Sequence, residues 1–401
     1  MEKLLFLAHR IPFPPNKGDK IRSYNLLKHL ATRFEIFLGT FIDDPDDRAG
    51  IEPLREFCQE IGTFDLHPQW RKIVSLSGFI NGKPLTLPYY SMREMQTWVD
   101  AIVKSRRIGN VLVFSSSMAQ YVDSPNFSTM MRVVDFVDVD SEKWRAYATR
   151  KSWPASGVYK REANLLAKYE NSVAHRFDCS LFVSSAEAAL FQRLSGLGGE
   201  KVRALRNGVD TDFFAQRSEF ENPYNRNCPV LVFTGAMDYW ANVDAVCWFA
   251  QEVFVQIRKT VPNGEFWIVG SKPSDPVQRL EQIDGVRVTG AVDDIRPYLQ
   301  YARAAVAPLR IARGIQNKVL EAMAMNKPVI ATPDAIEGIE IGEEYEPLIT
   351  EKVVEMVDIG CTALTGDQYN SMGLMGRAYV ESHHGWSAEL DKLNMLFMKG
   401  F

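Results

Sequence analysis

The chain has 401 residues, enough for two or three domains that each bury a core. Its 46 Lys+Arg balance 50 Asp+Glu for a formal net charge of -4. That excludes a chain-wide nucleic-acid footprint and leaves only local basic patches. Hydrophobic residues at 46% and charged residues at 24% exclude a disordered chain. Cys58, Cys179, Cys228, Cys247 and Cys361 are odd in number, scattered and without CxxC spacing, so neither a disulfide framework nor a zinc site is expected. The apolar run Leu4 to Ala8 is too short for a signal-peptide core or a membrane span, so the expected location is cytoplasmic.

In chain order, Leu4–Ala8, Glu35–Phe41, Val111–Ser115, Met131–Asp135, Leu181–Ser184 and Val202–Arg206 read as strands. Unbroken apolar runs of this kind suit a parallel sheet covered on both faces. Helical patterns at Ser23–Thr32 and Val158–Arg176 supply the crossovers. A polar stretch with Glu221, Asn222, Pro223, Asn225 and Asn227 then reads as a linker. Beyond it the alternation restarts, with strands at Val230–Thr234, Glu265–Val269, Val286–Thr289, Ala304–Ala307 and Pro328–Ala331, and helices at Val243–Lys259 and Gln316–Met325. The expected organisation is α/β, with Rossmann-like, doubly wound domains over 1–220 and 221–385. Residues 386–401 form a last amphipathic helix that packs on the second domain or crosses back to the first.

Neither half carries GxGxxG or a Walker A pattern. The most informative stretch is Pro308 to Thr332, which runs from a strand end through a glycine loop into a helix and the next strand. Ligands of open α/β sheets bind at such carboxyl ends. Gly314 permits close backbone approach, and the helix beginning near Ile315 offers N–H groups to a phosphate. Lys318 and Glu321 share a helix face, so an ammonium can meet a diphosphate while a carboxylate one turn on accepts ribose hydroxyls. Arg310 and Arg313 add positive charge nearby.

The string Lys318-Val-Leu-Glu-Ala-Met-Ala, with Lys327-Pro-Val-Ile330 after it, resembles the donor-nucleotide motif of the GT-B glycosyltransferases, specifically their family four group. Val183-Ser-Ser185, Leu205-Arg-Asn-Gly-Val-Asp210, Phe233-Thr-Gly-Ala236, Ile268-Val-Gly270 and Val288-Thr-Gly-Ala-Val292 look like further landmarks in the family's order. His9 to Ser23 and Asp135 to Trp144 resemble the sugar transferases of PEP-CTERM/exosortase exopolysaccharide loci. The resemblance implies two domains facing a central cleft. It also implies transfer of a sugar from a nucleotide diphosphate sugar (UDP- or GDP-linked) to a saccharide or lipid-linked acceptor, with retention and without a metal. Gly235, Gly270, Gly290, Arg310, Arg313, Gly314, Ile315, Lys318 and Glu321 fall on the donor side, and Lys318 would stabilise the leaving diphosphate. Gly18, Asp19, Lys20, Arg22 and Asn207 fall beside the acceptor. The family pairs two glutamates eight positions apart, but here Arg313 stands eight before Glu321.

Transfer also needs a base for the acceptor hydroxyl. Asp138 is the first candidate and Asp135 the second; Asp138-Val-Asp140 also matches the Asp-x-Asp metal pattern of another glycosyltransferase fold. Ordinary readings stand beside each assignment. Lys318 and Glu321 suit an exposed ion pair, and the aspartates suit a helix cap and solvated turn. Lys17, Lys20 and Arg22 suit a solvated loop, and Asn207-Gly208 suits a turn. His9 and His175 read as structural, and His383-His384 lacks further ligands for a metal. Between Gln69 and Arg107, Trp70, Phe79, Tyr89, Tyr90 and Trp98 interleave with seven Lys and Arg residues. That pattern suits contact with the inner membrane or a lipid-linked acceptor, and equally an ordinary amphipathic surface. Other chemistry on the same fold, nucleotide-sugar epimerisation or hydrolysis, and a non-catalytic partner subunit are the alternatives.

Overall fold

The apolar runs become buried parallel strands because helices cover both faces of each sheet. The computed structural model describes every residue except 16–17, 150–151, 226–227, 313–314 and 399–401. The chain divides into one unit of Met1–Asn207 with Glu389–Phe401, and a second of Gly208–Ala388.

The first unit holds seven strands: β1 (Glu2–Ala8), β2 (Phe34–Ile42), β3 (Cys58–Asp65), β4 (Asn110–Phe114), β5 (Met131–Val137), β6 (Cys179–Phe182) and β7 (Val202–Ala204). They lie in the order β3-β2-β1-β4-β5-β6-β7, all parallel. Strand order reverses between β1 and β4, which opens a crevice at their carboxyl ends. Strand β3 departs from the sequence reading. It is an edge strand in which Gln59, Glu60 and Thr63 interrupt the apolar residues, so no continuous run announces it. Strand β6 ends at Phe182, because Ser184 caps the helix Ser185–Ser195 by accepting from the Glu187 N–H. Residues 389–398 complete this unit: Phe397 packs edge-on to Phe34, and Glu389 accepts from the Arg206 N–H.

The second unit holds β8 (Val230–Thr234), β9 (Glu265–Val269), β10 (Val286–Gly290), β11 (Ala304–Ala307) and β12 (Val329–Ala331) in the order β10-β9-β8-β11-β12, again parallel. Its reversal point lies between β8 and β11. The helix expected over Val243–Lys259 is three pieces, with a π-helical stretch at Phe249–Phe254 between α-helices Trp240–Trp248 and Val255–Thr260. Residues 208–220 join this unit ahead of the Pro223 stretch, because the Val209 N–H donates to the His384 carbonyl. Among the described residues, no helix is long and apolar enough to cross a membrane.

Candidate donor and acceptor sites

In the second unit, three glycines terminate the adjacent strands β8, β9 and β10. A Cβ on Gly270 would lie 1.7 Å from the Gly235 carbonyl oxygen, and the Gly270 N–H donates to the Gly290 carbonyl. Gly290 has φ +71° with open space beside its Cα. Backbone thus lines the carboxyl edge where side chains would otherwise fill it.

Lys318 reaches this edge from the helix Asn317–Ala324, which follows β11 and buries Val319, Leu320, Ala322 and Met323. Its Nζ donates to Asn242 Oδ1 at 2.5 Å and lies 4.3 Å from the Phe233 ring centroid. Asn242 is fixed in turn, since its Nδ2 donates to the Ala236 carbonyl at 2.8 Å. A Cβ on Gly235 would lie 3.2 Å from Lys318 Nζ, so the glycine leaves room for the ammonium. Burial pushes Lys318 down to about 7 despite the favourable Glu321 charge. Burial pushes Glu321 up to about 7, against the pull of Lys318. A charged phosphate beside Lys318 would restore its proton. The exposed-ion-pair reading fails, because both groups are largely withdrawn from water and the ammonium turns to Asn242.

Arg310 is engaged by Asp244, at 2.6 Å, and lies over the Trp248 ring. Ile315 packs against Gly338. Arg313 and Gly314, both assigned to the donor, lie outside the described residues, as does Lys17. Asn242 escapes sequence reasoning, since it sits in an apolar helix, 76 residues from the lysine it holds.

The acceptor-side residues of the first unit separate into two groups. Arg22 is 1% exposed and Asp135 is 0% exposed, and they pair at 2.8 Å while Arg22 also donates to Asn207 Oδ1. Lys20 is likewise buried, against Asp47 at 2.7 Å. This corrects three assignments. Arg22 and Lys20 cannot offer free charge to a substrate, and Asp135 cannot reach an acceptor, because each is sealed against its partner. Asn207 holds Arg22 in place through its side chain. Gly18 opens the helix Gly18–Leu30 with nothing near its Cα, and Asp19 follows it. Arg10 bridges Asp19 and Asp43 at 2.9 and 2.7 Å, and His9 Nε2 lies 3.6 Å from Asp19. Burial would raise the Asp19 carboxyl, but His9 and Arg10 outweigh it and hold it well below the usual carboxylate range.

Asp138 remains accessible. Val137 has φ +68°, and the Asp138 N–H donates to the Phe136 carbonyl two residues back, which together make a γ-turn. A β-branched residue is strained there. Neighbours enforce the turn: the Val137 N–H donates to Asp135 Oδ1, the Val183 N–H to the Val137 carbonyl, and the Val139 N–H to Glu187. The turn carries Asp138 out of the strand to Lys143, whose Nζ lies 2.5 Å from Asp138 and 3.4 Å from Asp140. Behind it, Glu170 on the helix Ala155–Arg176 accepts from Ser141 N–H and Oγ, and burial pushes its carboxyl up to about 8. Among the described residues, no three His, Cys, Asp or Glu side chains converge as a metal site.

Residues 228–358, all in the second unit, match the family model for glycosyl transferases group 1. Solved structures match both units. They include the sucrose-phosphate synthase of Thermosynechococcus elongatus, at 16% identity and TM-score 0.69, covering 100% of this chain and 99% of the other. The chain has the GT-B fold. Anabaena HepE in complex with UDP and glucose matches this chain at 16% identity and TM-score 0.66, covering 99% and 100% of the two chains. WaaG, a glycosyltransferase involved in lipopolysaccharide biosynthesis, matches at 13% identity and TM-score 0.64, with 99% and 100% covered. No curated protein matches the chain by sequence.

Proposed function

We propose that the protein is a glycosyltransferase that moves a sugar from a nucleotide diphosphate sugar to a saccharide or lipid-linked acceptor, in exopolysaccharide assembly on the cytoplasmic side. The observation that carries this reading is Lys318 Nζ, held by Asn242 at the glycine-lined carboxyl edge of β8 and β9. The diphosphate lies against Lys318, and Glu321 accepts the ribose hydroxyls. As the bond from the anomeric carbon to the phosphate oxygen breaks, its electrons leave on the nucleoside diphosphate and Lys318 stabilises the charge. The acceptor oxygen bonds to the anomeric carbon with retention, and Asp138 takes its proton. Lys143 occupies the position between Asp138 and Asp140 where the metal reading would put a cation, which supports transfer without one.

HepE was solved with UDP and with UDP-glucose, so a uridine donor is the first to test. Calorimetric titration with UDP and GDP in EDTA, beside Glu321→Ala, tests the site. Binding of one nucleotide that the variant loses supports the donor assignment. Binding only after manganese is added transfers the role to Asp138 and Asp140, and silence in both conditions favours a non-catalytic partner.

A further inference from the structure

Five large apolar side chains stand in water within eleven residues of the first unit: Trp70 at 61% exposure, Ile73 at 59%, Leu76 at 54%, Phe79 at 45% and Ile80 at 88%. They lie on the helices Pro68–Ser75 and Ser77–Ile80 and the residue joining them. Among the described residues no other stretch of that length exposes as many. Such a concentration marks a surface that meets something apolar.

The surrounding charge says what. From Leu66 to Arg93 the sequence contains no Asp or Glu, but it carries Arg71, Lys72, Lys83 and Arg93. Lys72 and Lys83 are exposed. Arg161 projects from the helix Ala155–Arg176, lies 4.7 Å from the Phe79 ring centroid and donates to the Gly78 carbonyl. Glu162, beside it in sequence, is buried and spent on the Leu85 and Thr86 N–H groups. The face is therefore apolar at its centre with cations and no free carboxylate from its own segment.

It is also held firmly. Arg71 turns inward and donates to the carbonyls of Pro88, Tyr89 and Ser91, which fastens the first helix to the chain beneath it. Trp98, which the sequence groups with these aromatics, instead covers Gly39 and Gly62 of β2 and β3. Tyr90 packs against His9 and Phe41. The exposed set is thus narrower than the composition implies, and it is confined to one short helical segment.

We propose that this face docks on the surface of an anionic phospholipid membrane, with Trp70, Ile73, Phe79 and Ile80 entering the interface and Lys72, Lys83 and Arg161 meeting headgroup phosphates. The combination of buried apolar area with attraction to anionic lipid is what interfacial helices use. A second copy of the chain is disfavoured as occupant, because it would bring the same positive sign to the contact. Docking uses none of the residues assigned to the donor, so it stands or falls separately from the transfer reading.

The test is flotation of the full-length protein with phosphatidylcholine vesicles, with and without phosphatidylglycerol. Association is expected only with the anionic vesicles and should weaken at raised ionic strength. Lys72→Glu with Lys83→Glu should weaken it by at least about tenfold. Ile80→Glu should abolish it, while Leu374→Glu, on an exposed site of the second unit, should leave it unchanged. Unchanged circular dichroism and thermal unfolding in the face variants check that they fold, and unchanged UDP titration separates this proposal from the donor assignment. No association with either vesicle, or association that survives Ile80→Glu, would overturn it. So would a lipid-free dimer that Ile80→Glu dissociates, since the face would then belong to a second copy.

Discussion

Gly270 lies so near Gly235 that a methyl group on it would fall 1.7 Å from the Gly235 carbonyl oxygen. The obstruction is backbone, so no rotamer change relieves it. Gly270→Ala must push the ends of β8 and β9 apart, and overpacking of this kind costs about 1–3 kcal/mol or more. Because Gly235 faces Lys318 Nζ, the same shift should weaken UDP binding. Gly290→Ala meets no atom within 4 Å and carries only the penalty of φ +71°, about 1–2 kcal/mol. Denaturant unfolding and UDP titration of the two variants should therefore diverge, with binding lost in Gly270→Ala and largely kept in Gly290→Ala.

Lys318 and Glu321 also set a pH dependence. In the free protein both change charge near pH 7. As pH rises above 7, Lys318 loses the proton that a diphosphate needs, so affinity falls and binding takes up a proton. As pH falls below 7, Glu321 gains a proton and accepts ribose hydroxyls less well, so affinity falls again. Affinity for UDP should peak near neutrality. Calorimetry in buffers of different ionisation enthalpy should register proton uptake on the alkaline side, and Glu321→Gln should flatten the acid limb while lowering affinity at the peak. An affinity that climbs steadily from pH 7 to 9 would refute the role given to Lys318.

Both sheets are readable in the sequence because parallel strands buried on two faces are written as apolar runs. Residues 230–233, 266–269 and 304–307 carry such runs. Strand β3 does not, since an edge strand alternates with water. The helix bearing Lys318 and Glu321 is legible for the same reason, through its apolar face. What the sequence hides is which charges are sealed inside. Arg22 and Asp135 are 113 residues apart, and nothing local tells an arginine that meets substrate from one that meets a buried carboxylate. Lys143 and Val137 are hidden similarly, because the γ-turn is enforced by the Val137 N–H donating to Asp135 Oδ1 and by the Val183 N–H, just beyond β6, donating to the Val137 carbonyl.

Glu170 gives a stability profile of its own. Burial outweighs its bonds to Ser141 and raises the native carboxyl to about 8, above its ordinary 4.5. The native state therefore holds more protons than the unfolded chain between these values, so stability must fall as pH rises from about 4.5 to 8. Glu170→Gln keeps a neutral hydrogen-bonding group there and should remove this slope. Thermal unfolding across that range should show the variant gaining on the parent at each step toward alkaline pH, on the order of 1 kcal/mol for each pH step of one. Parallel curves for the two proteins would show that Glu170 ionises freely in the fold.

Asp135 and Asp138 provide the sharpest separation of scaffold from chemistry. Asp135 is wholly buried against Arg22, so Asp135→Ala leaves an unpaired guanidinium inside the first unit and should cost about 3–5 kcal/mol. Asp138 lies beyond the Asp135 carboxylate that braces Val137, but its own carboxylate is partly in water and paired with exposed Lys143. Asp138→Asn should barely alter unfolding, since pairs of that kind contribute about 0–1 kcal/mol. It should leave UDP affinity unchanged, because the nucleotide is assigned to the second unit. With a donor and an acceptor supplied, it should lower turnover about 10²–10⁴-fold. Sugar transfer at the parental rate by Asp138→Asn would remove it as the base. Loss of UDP binding in the same variant would instead make Asp138 part of the donor site.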